Sequence, residues 1–282
     1  QVLSLFELAD LDKRAVFISG CDTGFGHLLA LKCLERGMPV FAGCLTERGA
    51  SSLRDASASL PGRLDAIIVE VASDESVTQA AKYLDKAIKP YGVNNAGIVG
   101  SSFFDDMLTT KDYKEVVEVN TFGVIRVTQA MKHLVKKTRG RVVSIASICA
   151  RIGIQGIGPY TVSKFAATGY CEIIRQELRH FGVSVHILEP GFFNTPLIDE
   201  KIVHARLDKM WKTVPESIKQ EYGEKFFHDN PSRHRHLLSR PDSPIPTSEI
   251  PDRRGRQIFV RPTGLPAYGP TRRDHSCCGK GI

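Results

Sequence analysis

Hydrophobic and polar positions divide the chain into two kinds of segment that alternate. Short segments are almost continuously apolar, and longer segments between them have apolar residues at helical spacing. The apolar segments predict six strands, at 14–20, 38–45, 64–71, 92–97, 141–147 and 183–191. The amphipathic segments predict helices at 25–37, 74–88, 111–137, 160–180 and 215–227. Strands without period-two alternation are buried on both faces, so we predict an α/β fold with a doubly wound parallel sheet between two helical layers.

The pattern changes after His228. Residues 229–282 contain eight prolines, many Arg and Ser residues, and little hydrophobic periodicity; only 256–262 could form a strand. We therefore predict a folded domain at 1–228 and an atypical, mostly irregular C-terminal tail at 229–282.

Charge and cysteine usage narrow the function classes. The net charge is +7, but the tail carries nine Arg and one Lys against five acids, so nucleic-acid binding would rest on the tail alone and is not expected. The seven cysteines form no CxxC pair, which favours buried thiols in a reducing compartment and no metal site. No run of 18 apolar residues is present to span a membrane. The chain begins at Gln1 rather than Met, which leaves its targeting and any upstream anchor open.

A glycine-rich turn follows the first predicted strand directly. The segment SGCDTGFG places Gly20, Gly24 and Gly26 between a buried strand and a helix. Glycines let the backbone approach a pyrophosphate, and the helix N-terminus supplies free N–H groups, so we predict a Rossmann-type dinucleotide site. Residues 21–23 hold no cation for a 2′-phosphate, which favours NAD; Arg48, beyond the second strand, keeps NADP as the alternative.

A tyrosine and a lysine four residues apart begin the helix predicted at 160–180. Tyr160 and Lys164 share one helix face, and an ammonium beside a phenol lowers the pKa of the phenol towards the range of a general base. Ser147 ends the fifth strand, on the side where ligands bind, and could hydrogen-bond a substrate oxygen. Asn120 interrupts an apolar helix, where it either holds a backbone kink or anchors a proton-relay water.

These residues together resemble the short-chain dehydrogenase/reductase superfamily over roughly residues 10–228. The resemblance rests on SGCDTGFG, NNAG at 94–97, Asn120, Ser147, the YxxxK of 160–164 and PGFFNT at 190–195, all in the order of the family. The GCDxGFG form, FAGCLT and EPGFF are similar to the branch of retinol dehydrogenases, hydroxysteroid dehydrogenases and 3-hydroxybutyrate dehydrogenase. Members of this branch mostly use NAD.

The resemblance implies a role for each matched residue. Tyr160 would be the general acid/base, Lys164 would hold the nicotinamide ribose, Ser147 would orient the substrate oxygen, and Asn120 would hold the relay water. The cofactor-binding residues it implies, with Tyr160 and Lys164, are Ser19, Gly20, Asp22, Gly24, Phe25, Gly26, Glu70, Asn94, Ala96, Pro190 and Thr195. Helices 111–137 and 160–180 would pair subunits of a homo-oligomer. The endoplasmic-reticulum membrane surface is the implied location, reached through a missing N-terminal segment, with the mitochondrion as the alternative.

The segment after Gly191 is rich in large apolar residues, and in this family it forms a lid, here about 192–228. Phe192, Phe193 and Trp211 would bind substrate together with Ser147, which suits a lipid-like alcohol such as a retinol or a hydroxysteroid. A 3-hydroxybutyrate substrate would instead need a cation for its carboxylate, and Arg151 and Lys201 are the candidates.

Three departures from the family pattern keep a further alternative open. The segment PYGVNNAG is one apolar residue short, Ser19 replaces Thr, and the tail replaces the final helix and strand of the family. The protein could therefore be a catalytically impaired cofactor-binding or interaction protein, with an uncovered sheet edge.

Overall fold

The computed structural model describes residues 11–87, 90–191 and 200–223, Phe226, and two short strands at 250–251 and 257–258. The chain forms two compact units, Gln1–Leu238 and Ser239–Ile282. The boundary predicted at 228 lies outside the described residues, as does most of the tail.

Six parallel strands form the sheet of the larger unit. They are β1 (Ala15–Ser19), β2 (Val40–Cys44), β3 (Leu64–Ile68), β4 (Pro90–Asn94), β5 (Arg141–Ile145) and β6 (Ser184–Leu188). Their order is β3-β2-β1-β4-β5-β6, and every pairing is parallel, which confirms the predicted doubly wound sheet. The order reverses between β1 and β4, and ligands bind at such a switch point, beyond the carboxyl ends of the strands.

Eight helices are described in the larger unit. They are α1 (Gly24–Glu35), α2 (Glu47–Ser57), α3 (Asp74–Ala87), α4 (Thr110–Val117), α5 (Gly123–Thr138), α6 (Gly158–Arg179), α7 (Glu200–Thr213) and α8 (Glu216–Tyr222). Helix α2 is absent from the predicted set because Leu53 is its one large buried apolar residue and Ala50 the only other buried apolar side chain, too few for a clear helical pattern. Thr46 caps it by accepting a hydrogen bond from the Gly49 N–H at 3.0 Å.

The single helix predicted at 111–137 is interrupted. Helices α4 and α5 are separated by a π-helical turn at Glu118–Phe122, and Asn120 lies within this turn. Such turns often mark functional sites, because the extra residue redirects side chains of the helix.

Side chains of the central strands alternate between two apolar layers. Phe17 and Phe41 pack with α3 and α5 on one face, whereas Ile18 and Ala42 pack with α1 and α2 on the other. Every residue of β1 and β2 is buried, but β3 and β6 carry exposed positions because they lie at the ends of the described sheet. The prediction that strands are buried on both faces therefore holds for β1 and β2 and is wrong for β3 and β6.

Strand β4, whose segment is one apolar residue short, pairs with a strand on each side. Gly92 pairs with Phe17 on one side and Val142 on the other, and the next pairs keep Val93 beside Ile18 and Asn94 beside Ser144. Strand β4 therefore keeps a regular parallel register with β1 up to Val93 and with β5 up to Asn94.

Membrane and metal features can be assessed for the described residues. None of their helices combines the length and hydropathy needed to cross a bilayer, and within the same ranges no cluster of His, Cys, Asp and Glu could hold a metal ion. The five cysteines in these ranges are free thiols, four of them buried.

The described part of the smaller unit is one pair of strands. Strand β7 (Ile250–Pro251) pairs antiparallel with β8 (Gln257–Ile258), and β8 lies inside the segment 256–262, where a strand could be expected.

Candidate active site

A cleft of about 600 Å³ opens beyond the carboxyl ends of the strands. Residues that follow all six strands line it, which places it at the switch point. Ten residues singled out from the sequence line this cleft: Gly20, Asp22, Gly24, Phe25, Glu70, Ala96, Ser147, Tyr160, Lys164 and Pro190.

The glycine-rich turn has the shape that a pyrophosphate site needs. Gly20 has a φ of +71°, and a Cβ there would lie 2.7 Å from the Cα of Ala96, so no side chain fits between the turn and the segment after β4. Gly24 has a φ of +64°, no other heavy atom lies within 4 Å of where its Cβ would be, and it begins α1. Gly26 packs beneath the turn and does not line the cleft. The open side of Gly24 and the N-terminus of α1 fit the phosphates of a dinucleotide.

Two acids lie on the β1–β3 side of the cleft. The carboxylate of Asp22 accepts hydrogen bonds from the Leu45 N–H at 2.7 Å and from the Thr46 N–H at 3.0 Å and hydroxyl at 2.8 Å. Glu70, after β3, is the second acid. Arg48, the cation that favoured NADP in the sequence, is exposed and does not line the cleft.

Ser19 and Asn94 hold the segments around the cleft and do not line it. The Ser19 hydroxyl oxygen accepts from the N–H groups of Asn95 at 3.1 Å and Ala96 at 3.2 Å. Asn94 is buried and donates to the Thr128 hydroxyl at 3.0 Å. Asn95, its neighbour, lines the cleft and donates to the carbonyls of Ser19 and Gly20, both at 3.0 Å.

Ser147, Tyr160 and Lys164 meet on the other side of the cleft. Tyr160 lies in the first turn of α6, and its hydroxyl is hydrogen-bonded to the hydroxyl of Ser147. The Ser147 oxygen also accepts from the Cys149 N–H at 3.2 Å. The Lys164 Nζ donates to the Ile145 carbonyl at 2.9 Å and lies 5.5 Å from the centre of the Tyr160 ring.

Burial dominates the titration of both ionisable groups at this site. It raises the pKa of Tyr160, the hydrogen bond from Ser147 opposes this increase, and the Cys149 thiol adds to it. Burial also lowers the pKa of Lys164 to about 8, against the opposing effect of the Cys149 and Cys171 thiols. Without a bound nicotinamide, the pKa of Tyr160 is therefore raised overall, because the phenol is buried. The lowering expected from Lys164 together with the positive charge of an oxidised nicotinamide stays a prediction.

The side chain of Asn120 holds the backbone around the π-helical turn. Its Nδ2 donates to the Ile98 carbonyl at 2.8 Å and to the Ser163 hydroxyl at 2.9 Å, and its Oδ1 accepts from the Ile98 N–H at 2.8 Å. It is 1% exposed and does not line the cleft. Of the two roles considered, the structure shows backbone support; a relay water stays a prediction.

The predicted substrate residues lie apart from the described cleft or outside the described residues. Phe192, Phe193 and Thr195 belong to 192–199, which the description does not include. Trp211 packs in an apolar cluster of α7, α8 and the segment 103–108, and it does not line the cleft. The Nε of Arg151 pairs with the Glu189 carboxylate at 2.9 Å, and Arg151 does not line the described cleft.

Sequence reasoning missed several residues that line the cleft, above all Asn95, Ile98 and Cys149. Asn95 and Ile98 follow β4, and Cys149 lies two residues beyond Ser147. The rule that pointed to Ser147, that strand ends face the ligand, applies to all three and could have found them.

Comparison with known proteins assigns the larger unit to a family. Residues 14–205 match the family described as short chain dehydrogenase. The chain is 38% identical over 226 residues to mouse 17-beta-hydroxysteroid dehydrogenase type 6, covering 79% of this chain and 70% of that protein. It is 41% identical over 223 residues to rat retinol dehydrogenase 7, and this match covers 78% of this chain and 69% of that protein.

The fold is also found in a solved structure. A short chain dehydrogenase/reductase from Burkholderia phymatum, crystallised in complex with NAD, superposes with a TM-score of 0.66. The superposition covers 80% of this chain and 79% of that one, at 22% sequence identity.

Proposed function

Because the chain belongs to the short-chain dehydrogenase family, whose members are nicotinamide-dependent oxidoreductases acting on CH–OH groups, we propose that it interconverts a lipid-like alcohol and its carbonyl with NAD. The substrate class is a retinol or a hydroxysteroid. The observation that carries the proposal is the meeting of Ser147, Tyr160 and Lys164 in one cleft with the glycine-rich turn.

The chemistry divides between the nicotinamide and the side chains. A bound nicotinamide supplies the hydride acceptor or donor at the carbinol carbon. Tyr160 takes the proton of the alcohol in oxidation and returns it in reduction. Ser147 donates a hydrogen bond to the substrate oxygen. Its hydroxyl proton is available for this, because the Ser147 oxygen acts only as an acceptor towards the Cys149 N–H. Burial raises the pKa of Tyr160, so the tyrosine needs positive charge nearby to act at neutral pH. We assign to Lys164, whose Nζ lies 5.5 Å from the centre of the Tyr160 ring, the roles of supplying this charge and of holding the ribose.

The charges around the cleft support NAD rather than NADP. On the β1–β3 side, the charged groups among the described lining residues are the acids Asp22 and Glu70. A 2′-phosphate beside these carboxylates would be repelled, whereas the ribose hydroxyls of NAD could hydrogen-bond to them.

The lining of the cleft supports an apolar substrate. Ile98, Val99 and Ile157 contribute apolar side chains to it. A 3-hydroxybutyrate-type substrate is less well supported, because Arg151 is paired with Glu189 and Lys201 does not line the described cleft. The relatives named for hydroxysteroids and retinol point in the same direction.

The proposal is tested with the purified chain by following the absorbance of reduced nicotinamide. NAD and NADP are each combined with a retinol, a hydroxysteroid and 3-hydroxybutyrate. We expect NAD reduction with the retinol or the hydroxysteroid, and its loss in Tyr160→Phe with NAD binding retained. Turnover that survives Tyr160→Phe would refute the proposed base, and NAD binding without turnover of any alcohol would favour the impaired binding protein.

An exposed apolar stripe on α6 supports a homo-oligomer. Val162, Phe165 and Ile173 lie on one helix face and are 48%, 46% and 57% exposed. We expect the molecular mass from light scattering to be that of a dimer or a larger oligomer. Phe165→Glu should shift this mass towards that of the monomer, and an unchanged mass would show that the stripe is not the interface. The membrane surface of the endoplasmic reticulum stays the proposed location.

A further inference from the structure

Lys164 is a buried amine with few partners. The residue is 5% exposed, and its Nζ donates a hydrogen bond to the Ile145 carbonyl at 2.9 Å. The titratable groups that influence it are the thiols of Cys149 and Cys171, and within the described ranges no carboxylate forms an ion pair with it. A lysine in such surroundings loses its proton more readily than a surface lysine, because burial disfavours the charged form.

The same amine lies beside the place where the reaction forms a carbonyl. Lys164, Tyr160 and Ser147 line one cleft, with Lys164 one helical turn from Tyr160. Because burial lowers the pKa of Lys164 to about 8, roughly a tenth of it is neutral at pH 7, against well below a thousandth for an ordinary lysine. A neutral lysine amine is a nucleophile that forms imines with carbonyl compounds.

We propose that Lys164 reversibly captures aldehydes in this cleft as an imine. The lone pair of Nζ attacks the carbonyl carbon, a proton moves from nitrogen to oxygen, and the carbinolamine loses water to leave a C=N bond. No oxidant or reductant takes part, and hydrolysis reverses each step. The inference rests on the proposed function, since that function brings carbonyl compounds to this lysine.

Occupancy by NAD would prevent the capture. A nicotinamide ribose held by Lys164 would engage its Nζ and would compete with an aldehyde for the same amine. Capture therefore belongs to the enzyme before it binds NAD, and it makes an aldehyde product a reversible inhibitor when NAD is scarce. The nearby Cys149 thiol competes poorly, because burial raises its pKa and keeps it protonated.

Reductive trapping tests the proposal on the full chain. The protein is incubated with benzaldehyde and sodium cyanoborohydride, with and without saturating NAD, and benzylated lysines are located by peptide mass mapping. We expect Lys164 to be labelled faster than the exposed lysines Lys82 and Lys114. The ratio of its labelling rate to that of the two exposed lysines should fall as the pH rises above about 8, because Lys164 is then mostly neutral while ordinary lysines are still losing their protons. NAD should slow labelling of Lys164 at least tenfold and leave the two exposed lysines unchanged.

Two results would overturn the inference. One is an unlabelled Lys164 in protein whose exposed lysines react; the other is equal labelling with and without NAD when NAD binding is verified by fluorescence. The proposed function is tested separately by alcohol turnover. Turnover without labelling refutes only the imine, and NAD-sensitive labelling without turnover refutes only the dehydrogenase activity. Lys164→Arg, checked for folding by circular dichroism, should abolish the adduct.

Discussion

Substituting Gly26 by alanine tests how tightly the glycine-rich turn is packed. Gly26 lies inside α1, where glycine to alanine normally stabilises a helix by about 1 kcal/mol. A Cβ at this position would lie 2.3 Å from the Gly20 carbonyl oxygen and 2.5 Å from the Nδ2 of Asn95, so the turn or the amide must move.

The expected loss follows from what these two groups do. The Asn95 amide donates two hydrogen bonds, to the carbonyls of Ser19 and Gly20, and each contributes about 1 kcal/mol. Overpacking adds about 1–3 kcal/mol. The gain in helix propensity, about 1 kcal/mol, offsets part of these losses. Gly26→Ala should therefore lower the free energy of unfolding by about 3 kcal/mol and weaken NAD binding.

Gly169→Ala is the matched control. Gly169 also lies within a helix, α6, but no heavy atom lies within 4 Å of where its Cβ would be. The free energy of unfolding of this variant should increase by up to about 1 kcal/mol. Both are measured by urea unfolding at one protein concentration, because Gly169 borders the exposed stripe of α6. If the two variants differed by less than about 1 kcal/mol, the packing argument would be wrong.

Three further substitutions test the charges and the core. Asp22→Ala should narrow the preference for NAD over NADP severalfold in kcat/KM, because it removes a carboxylate of the cleft; an unchanged ratio would exclude Asp22 from cofactor selection. Arg151→Met should lower the free energy of unfolding by only about 0.2–1 kcal/mol, because its partly exposed ion pair with Glu189 is screened by solvent. A fall in the melting temperature much larger than a few degrees would contradict this. Leu84→Ala should lower the free energy of unfolding, measured with urea, by about 2–5 kcal/mol, since Leu84 is fully buried. A loss below about 1 kcal/mol would show that the surrounding side chains fill the space left by the substitution.

Local patterns were sufficient to predict the sheet and the central residues of the site. Continuous apolar runs marked β1 and β2 because their residues are buried on both faces. The spacing of Tyr160 and Lys164 placed both on one face of α6, and the strand-end rule placed Ser147 opposite them.

Features that depend on contacts between distant residues could not be predicted. The role of Asn120 depends on the Ile98 backbone and on Ser163, far away in sequence. The pairing of Arg151 with Glu189 joins segments that follow two different strands. The pKa of Tyr160 depends on how deeply the phenol is buried, which the i, i+4 spacing does not reveal.

The hydrogen bonds of Ser19 and Asn95 have a mechanical consequence. They tie the end of β1 to the segment after β4, across the boundary between the two halves of the sheet. A hinge at this boundary would have to break both contacts at once. These contacts fix the distance between the glycine-rich turn and the segment after β4. A ligand therefore binds in a cleft whose base does not have to rearrange.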